Sequence, residues 1–350
     1  MQKILLKGGK FFNGETFIDG DLLIENGKIS KTGVIEDNDS INIDVSGCIV
    51  TPGLIDIHTH FNEMGNQAFG FPADMASIPF GVTYAVDGGA LWSDEKVLDN
   101  LLVKTKVFIQ LFLKNGDIDY NSIEKSLALY KERVVGIKIY FDNTLNNGID
   151  YELFKKACNY ANENNLKVMV HCSYSPVPMI DIINALHKGD ILTHAYHGDY
   201  HNIEENDFIA YKKAKEKGVI IDAGMAGGVH TDFTVLKNAI EKGYAPDVIS
   251  TDITKFSAYV RGGVYGLPMC MSICKHLGLS EVQIFKAVTI NAASAVNQSD
   301  WFSLSDVNLA VLKYESDNID ITDRKGNRVV CDKGYKCKMT IVNGQIIYRI

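Results

Sequence analysis

The 350-residue chain has no run of 18 apolar residues, so no helix able to cross a bilayer is expected. Its opening stretch, MQKILLKGGKFFNG, lacks the long apolar core and small-residue cleavage site of a secretory leader, and none is expected. An excess of basic residues is also missing. Thirty-five Lys and Arg against 43 Asp and Glu leave a formal net charge of −8, the wrong sign for gripping nucleic-acid phosphates. Paired cysteine spacing is absent: the seven cysteines are an odd number, scattered through a chain large enough to bury a full core. That argues against a disulfide framework and fits a reducing, cytoplasmic setting. Cys270 and Cys274 stand one helical turn apart in LPMCMSICKHLG, where packed core thiols are expected and a metal pair is the alternative. No Gly-rich phosphate turn follows the first apolar strand, which removes the main support for a doubly wound nucleotide-binding sheet.

What is present divides the chain into three stretches. Hydrophobic residues at 46% and charged residues at 22% give the balance of an ordinary globular protein. Residues 1–51 read as short strands and turns, with ENGK a strong hairpin signal. Residues 304–350 return to that texture in VNLAVLKY and KMTIVNGQIIYRI, where VNGQIIY resembles the earlier ENGKIS. The two ends are expected to pair into one small β-sandwich domain. Residues 52–303 instead alternate apolar runs with helix-like runs such as YELFKKACNYANENN and IEENDFIAYKKAKEKG. Eight runs read as strands: GLIDIHTH, VTYAVDGG, KVFIQLFL, VVGIKIYF, KVMVHCS, DILTHA, GVIIDAG and PDVISTD. Strands separated by helices imply parallel pairing with the helices outside. The expected class is α/β, a (β/α)8 TIM barrel of the usual size of about 250 residues, carrying the small β domain.

Functional groups in such a barrel sit at the C-terminal ends of the strands. The stretch VTPGLIDIHTHF places His58 and His60 two apart, on the same strand face as Asp56. Two imidazoles there would grip a metal ion; two satisfied histidines near a strand end are the alternative. Four further candidate strands carry Lys138, His171, His194 and Asp252 at or near their ends. Their convergence at one mouth favours the metal. Lys138 is the informative member, because a charged amine inside an apolar strand is costly and repels metal ions. Reaction with carbon dioxide resolves this, giving an N-carboxylated anion whose two oxygens bridge two divalent ions. A lysine reaching out of the barrel, or paired with a carboxylate, is the alternative.

PGLIDIHTH, followed by that Lys, His, His and Asp, resembles the amidohydrolase superfamily. Within it, VVGIKIYF, LKVMVHCSYSP, GDILTHAYHG, APDVISTD and the GLP beyond are similar to the amidohydrolase/deacetylase metallohydrolases, relatives of dihydroorotase. The resemblance covers essentially the whole chain. It implies that His58 and His60 hold a buried metal with Asp252, that His171 and His194 hold a more exposed one, and that carboxylated Lys138 bridges the two. The implied cofactors are two divalent ions, zinc expected, with manganese, iron or cobalt compatible with the same donors. It further implies attack by a bridging hydroxide on a carbonyl polarised by the exposed metal, with Asp252 as general base and then acid. The implied activity is hydrolysis of an acyl C–N or C–O bond of a small molecule, in its most concrete form deacetylation of an acetylated amino or hydroxy acid. Cyclic-amide hydrolysis of the dihydroorotase or hydantoinase kind is the second form. A mononuclear deaminase and a catalytically inert scaffold are the remaining alternatives. A small-molecule substrate and a homo-oligomer are the expected partners, with no nucleic acid and no membrane.

The chain departs from its relatives at two places. Dihydroorotases carry an arginine shortly after the paired histidines, whereas HTHFNEMG has Asn62 and no arginine. Arg261, in YVRGGVYG, is the candidate carboxylate clamp from another loop. Relatives tend to have a Gly-His-Gly turn after strand seven, whereas DAGMAGGVHTDF has Met225 there and His230 five residues later. His230, His197 in HAYHGDYH, and Tyr140 on the face of Lys138 are the other candidate substrate contacts. His187, His201 and His276 read as ordinary surface or helix residues.

Overall fold

A computed structural model describes residues 3–92, 95–145, 147–259, 265–301 and 307–350. In it the first seven apolar runs of the middle stretch become strands: β1 (Leu54–Thr59), β2 (Val82–Ala90), β3 (Lys104–Gln110), β4 (Val134–Tyr140), β5 (Lys167–His171), β6 (Ile191–Thr193) and β7 (Ile220–Asp222). They pair in chain order, each pair parallel. Parallel neighbours need crossovers, and helices such as Tyr151–Glu163 and Glu205–Lys217 supply them. Asp150 caps the first of these by accepting from Leu153 N.

The eighth run, PDVISTD, is not a regular strand. It is bridged at Val248 to Asp222 on one side, and the chain just beyond it is bridged at Ile253 to Thr59 on the other. Ala223 N donates to Val248 O at 3.0 Å, and Asp252 N donates to His58 O at 2.7 Å, so residues 247–253 close the ring from β7 back to β1. Asp252 stands at φ 50°, a left-handed conformation that interrupts the pleat and explains the irregularity. Asp56 reinforces the closure: Thr251 donates to it from its backbone N at 3.1 Å and its Oγ1 at 2.6 Å.

Alternation sets layers inside the barrel. Met169 and Ile191 lie two residues below His171 and Thr193 on the same strand faces. They join an apolar cluster with Val86, Phe108, Ala292 and Trp301, so the barrel is packed beneath its mouth.

The chain ends form one eight-stranded sheet with its own apolar cluster of Ile4, Leu6, Leu22, Leu309, Ile341 and their neighbours. Ile49–Pro52 pairs antiparallel with Leu309–Thr322, which joins the N-terminal to the C-terminal segment. The two NG hairpin signals are realised. Asn26 and Gly27 stand at φ 54° and 73°, and Asn343 and Gly344 at φ 50° and 75°, matching the twist of the flanking strands. Leu309–Thr322 and Arg328–Val342, 14 and 15 residues long, make an unusually long hairpin. Its turn reaches the barrel mouth, where Arg324 N donates to Gly228 O at 3.1 Å. Among the described residues, no helix is long and apolar enough to cross a membrane.

Candidate metal centre

Lys138, His58 and His194 have no solvent exposure, and His60, His171 and Asp252 are buried beside them. Asp252 is the hub. Its Oδ1 lies 3.0 Å from His60 Nε2 and 3.4 Å from His58 Nε2, and its Oδ2 lies 3.7 Å from His194 Nε2. Lys138 Nζ is 2.8 Å from His58 Nε2. The His171 and His194 rings stand 4.5 Å apart. The structure therefore brings six sequence-derived candidates to one place.

The hydrogen bonds behind the rings decide which nitrogens face inward. His194 Nδ1 lies 2.7 Å from Gly224 O, and a carbonyl only accepts, so Nδ1 carries the proton. Nε2 is then a lone-pair nitrogen, buried and without a hydrogen-bond partner. Thr193 Oγ1 donates to Asp222 at 2.7 Å, so it accepts from His58 Nδ1 at 3.0 Å and leaves His58 Nε2 unprotonated, a lone pair that meets Lys138 Nζ. His171 Nε2 donates to Asp142 at 3.2 Å, leaving its Nδ1 bare. Imidazoles whose outer N–H is held by a carboxylate, hydroxyl or carbonyl are oriented as metal ligands are. The atoms of His58, His194 and Asp252, and separately those of His171, His194 and His230, lie close enough to share an ion. These residues fit a cation.

Charge states agree with that geometry. Burial, then the charge of Lys138, pushes His58 down to about 4. Burial, then neighbouring His230 and His171, holds His194 well below its ordinary range. Burial pushes Lys138 down to about 8 against the pull of Asp252, which enlarges its neutral fraction. Burial alone would raise Asp252, but the charge of His58 and the hydrogen bond and charge of His60 outweigh it and hold the carboxyl far below the usual range. Neutral imidazoles around an ionised carboxylate are the forms that bind a metal.

Two glycines make the approach possible. A Cβ on Gly88, in β2, would stand 2.4 Å from His58 Cδ2, and one on Gly224, at φ 52°, would stand 2.6 Å from His194 Nδ1. His194 and Asp252 themselves hold φ 63° and 50°, strained values for residues with side chains. Above them opens a cavity of about 330 Å3, floored by His58, Lys138, His171 and Asp252 and rimmed by Phe69, Tyr140, Tyr174, Phe256 and Arg324.

Over almost its whole length the chain is similar to a deacetylase of Enterococcus faecalis (strain ATCC 700802 / V583), 25% identical with 98% of each chain covered. Its fold is that of a dihydroorotase crystal structure (TM-score 0.87, 22% identity, 100% of this chain and 99% of that one) and of an adenine deaminase crystal structure (TM-score 0.85, 24% identity, 100% of both). These likenesses indicate the amidohydrolase superfamily. No family model matches the chain.

The remaining candidates separate by position. His230 stands 4.5 Å from His194 and 4.8 Å from His171, ring to ring, within the cluster. Tyr140 lines the cavity, with Lys138 Nζ 5.4 Å from its ring centre. Met225 is buried in the barrel's core. His197 is buried behind the wall, where its Nδ1 accepts from Asp199 N at 3.2 Å, and it is not among the cavity-lining residues. Arg261 lies outside the described residues. Sequence reading missed Asp142, Asp222, Tyr174 and Arg324. Asp142 was findable, since in KIYFD it continues the alternation of Lys138 and Tyr140. Arg324 carries no local signal, because the long hairpin alone delivers it.

Proposed function

We propose that the chain is a metal-dependent hydrolase that deacetylates an acetylated amino or hydroxy acid. The observation that carries this reading is the set of unprotonated, buried imidazole nitrogens of His58, His194 and His171 around ionised Asp252 and Lys138. His58, His60 and Asp252 would hold one divalent ion, zinc in the first instance, and His171 and His194 a second, with Lys138 as the bridge. Bound there, the ions would lower the pKa of a water toward 7 and polarise the acyl carbonyl. Lys138 supports the bridging role because its depressed basicity leaves more free amine, the form that takes up carbon dioxide. Asp252 would accept the proton of the attacking water and deliver it to the leaving amine or alkoxide. The rim of Phe69, Tyr140 and Phe256 would exclude bulk water and bind the apolar part of the substrate. The activity named for the E. faecalis relative supports deacetylation.

Ring opening of a cyclic amide is the second reading, favoured by the likeness to a dihydroorotase structure. One assay tests both. Zinc- and bicarbonate-supplied protein is offered acetylated amino and hydroxy acids beside dihydroorotate and hydantoin. Acetate release that a chelator stops and zinc restores is the expected result. Ring opening without acetate release would replace the first reading by the second, and neither reaction would overturn both.

A further inference from the structure

We propose that Arg324, at the tip of the long C-terminal hairpin, binds the carboxylate of the substrate and so selects acids over their neutral analogues. The inference rests on the hydrolase reading and names the residue that recognises the substrate class. Beside its histidines, the cavity is lined among the described residues by one arginine and one lysine, Arg324 and Lys138, and Lys138 is occupied with His58 and Asp252 on the floor. Arg324 is at the rim, an exposed residue whose side chain is 31% accessible.

The backbone that carries it is fixed to the barrel. Asp323, 3% exposed, ties the turn together: its Oδ1 accepts from Lys325 N and Asn327 N, each at 2.9 Å. Its Oδ2 accepts from Asn327 Nδ2 at 2.9 Å and from Phe233 N at 2.8 Å, which pins the turn to the start of the helix Phe233–Glu241. The Arg324 side chain is equally constrained. Its guanidinium lies 4.5 Å over the Tyr174 ring, and its Nη2 donates to Asp199 Oδ2. Asp199 is buried and shared, with Lys325 Nζ 3.0 Å from its other oxygen. Two cations against one carboxylate leave a net positive charge at the rim. A guanidinium has five N–H donors in a planar fork, and the contact to Asp199 leaves most of them for a second carboxylate. Held in place beforehand, this fork binds an anion with little loss of side-chain freedom. The floor carboxylates do not compete for it: Asp142 is taken by His171, and Asp252 by His58 and His60. Asn62, shortly after the paired histidines, offers no guanidinium, and Arg324 supplies one from the opposite end of the chain.

The test uses the zinc-loaded full chain, wild type beside Arg324→Met, Arg324→Lys and Arg328→Met. Arg328 is an exposed cation of the same hairpin, paired with Asp320 away from the cavity. Phenylacetate and phenylacetamide, alike in shape and different in charge, are titrated by calorimetry. Wild type should prefer phenylacetate. Arg324→Met should lose roughly 10- to 100-fold of that preference, the scale of a hydrogen-bonded charged contact. Arg324→Lys should keep part of it and Arg328→Met all of it. Unchanged preference in Arg324→Met, or an equal loss in Arg328→Met, would overturn the proposal. Should Arg324→Met fail to fold by circular dichroism, Arg324→Lys decides: a reduced preference supports the fork, and a full one overturns it. Turnover of p-nitrophenyl acetate by the wild type separates the two readings. Charge preference through Arg324 without turnover would leave the carboxylate site standing and remove the hydrolase; turnover without charge preference would do the reverse.

Discussion

The sheet made from the chain ends and the mouth of the barrel are both closely packed, yet they treat buried polar atoms in opposite ways. The sheet's cluster is built from apolar side chains, from Leu6 and Leu22 to Leu309 and Ile341. The buried polar groups Asp21 and Thr340 are paired, Asp21 accepting from Gly8 N and Ile35 N and Thr340 donating to Ile78 O, with Thr51 Oγ1 the exception. At the mouth, His60 Nδ1, His194 Nε2 and Asp222 Oδ1 are buried with no hydrogen-bond partner, and His194 and Asp252 sit at positive φ. Each unpaired buried polar group costs about 1–3 kcal/mol, and each strained backbone position a similar amount. The mouth therefore opposes folding while the sheet and the barrel wall drive it. A cation at the mouth would satisfy several of those atoms at once, which is the physical sense in which the site is built for one.

The contrast is sharpest for changes that touch one region only. Asp252→Asn should lower kcat/KM by roughly 10³-fold or more, because it would remove the proposed proton acceptor and a proposed charged metal ligand together. The thermal midpoint of the metal-free chain should fall as well, though the variant still folds, because His58 and His60 favour the ionised carboxylate in the fold over its own burial cost. Kinetics and calorimetry on the same preparation check both halves; a large loss of stability with activity retained would break the comparison. Ile341→Ala should do the opposite. Deleting this buried side chain should cost about 2–5 kcal/mol in denaturant unfolding, with kcat of the folded protein unchanged.

Acidification should show the smaller, net effect. His58 and His197 are pushed down to about 4 and His230 to about 3, all mainly by burial, and His171 and His194 are lowered as well. Unfolded histidines take up protons near pH 6.5 while these do not, so stability falls as pH drops from about 6.5 toward 4. Three buried carboxyls act against this. Burial raises Asp56 to about 7 and Asp87 to about 6 and lifts Asp190 above its ordinary value, so they take up protons earlier in the fold than in the unfolded chain and favour the fold as the pH drops. Five imidazoles against three carboxyls should leave a net fall, measured as a declining urea midpoint of the metal-free chain. A midpoint that rises on acidification would mean that the mouth is not held by neutral imidazoles.

The sequence announced what is local. His58 and His60 share a face because strand side chains alternate, and the NG pairs at 26–27 and 343–344 specify their turns within two residues. The eighth strand was harder, because the left-handed Asp252 breaks the pleat that the apolar run promises. Arg324 was out of reach. It meets Asp199 across 125 positions of sequence, and only the length and docking of the hairpin bring it there. His230 falls between these cases: its presence after β7 was readable, but its place against His171 and His194 depends on how the loop turns.

The central claim, that the mouth holds two ions bridged by Lys138, is tested most directly by counting metal. Wild type and Lys138→Ala are purified with zinc and bicarbonate supplied, and metal per chain is measured. About two ions per wild-type chain, falling to about one or fewer in the variant, is the predicted result. One ion in both, or none in either, would contradict it.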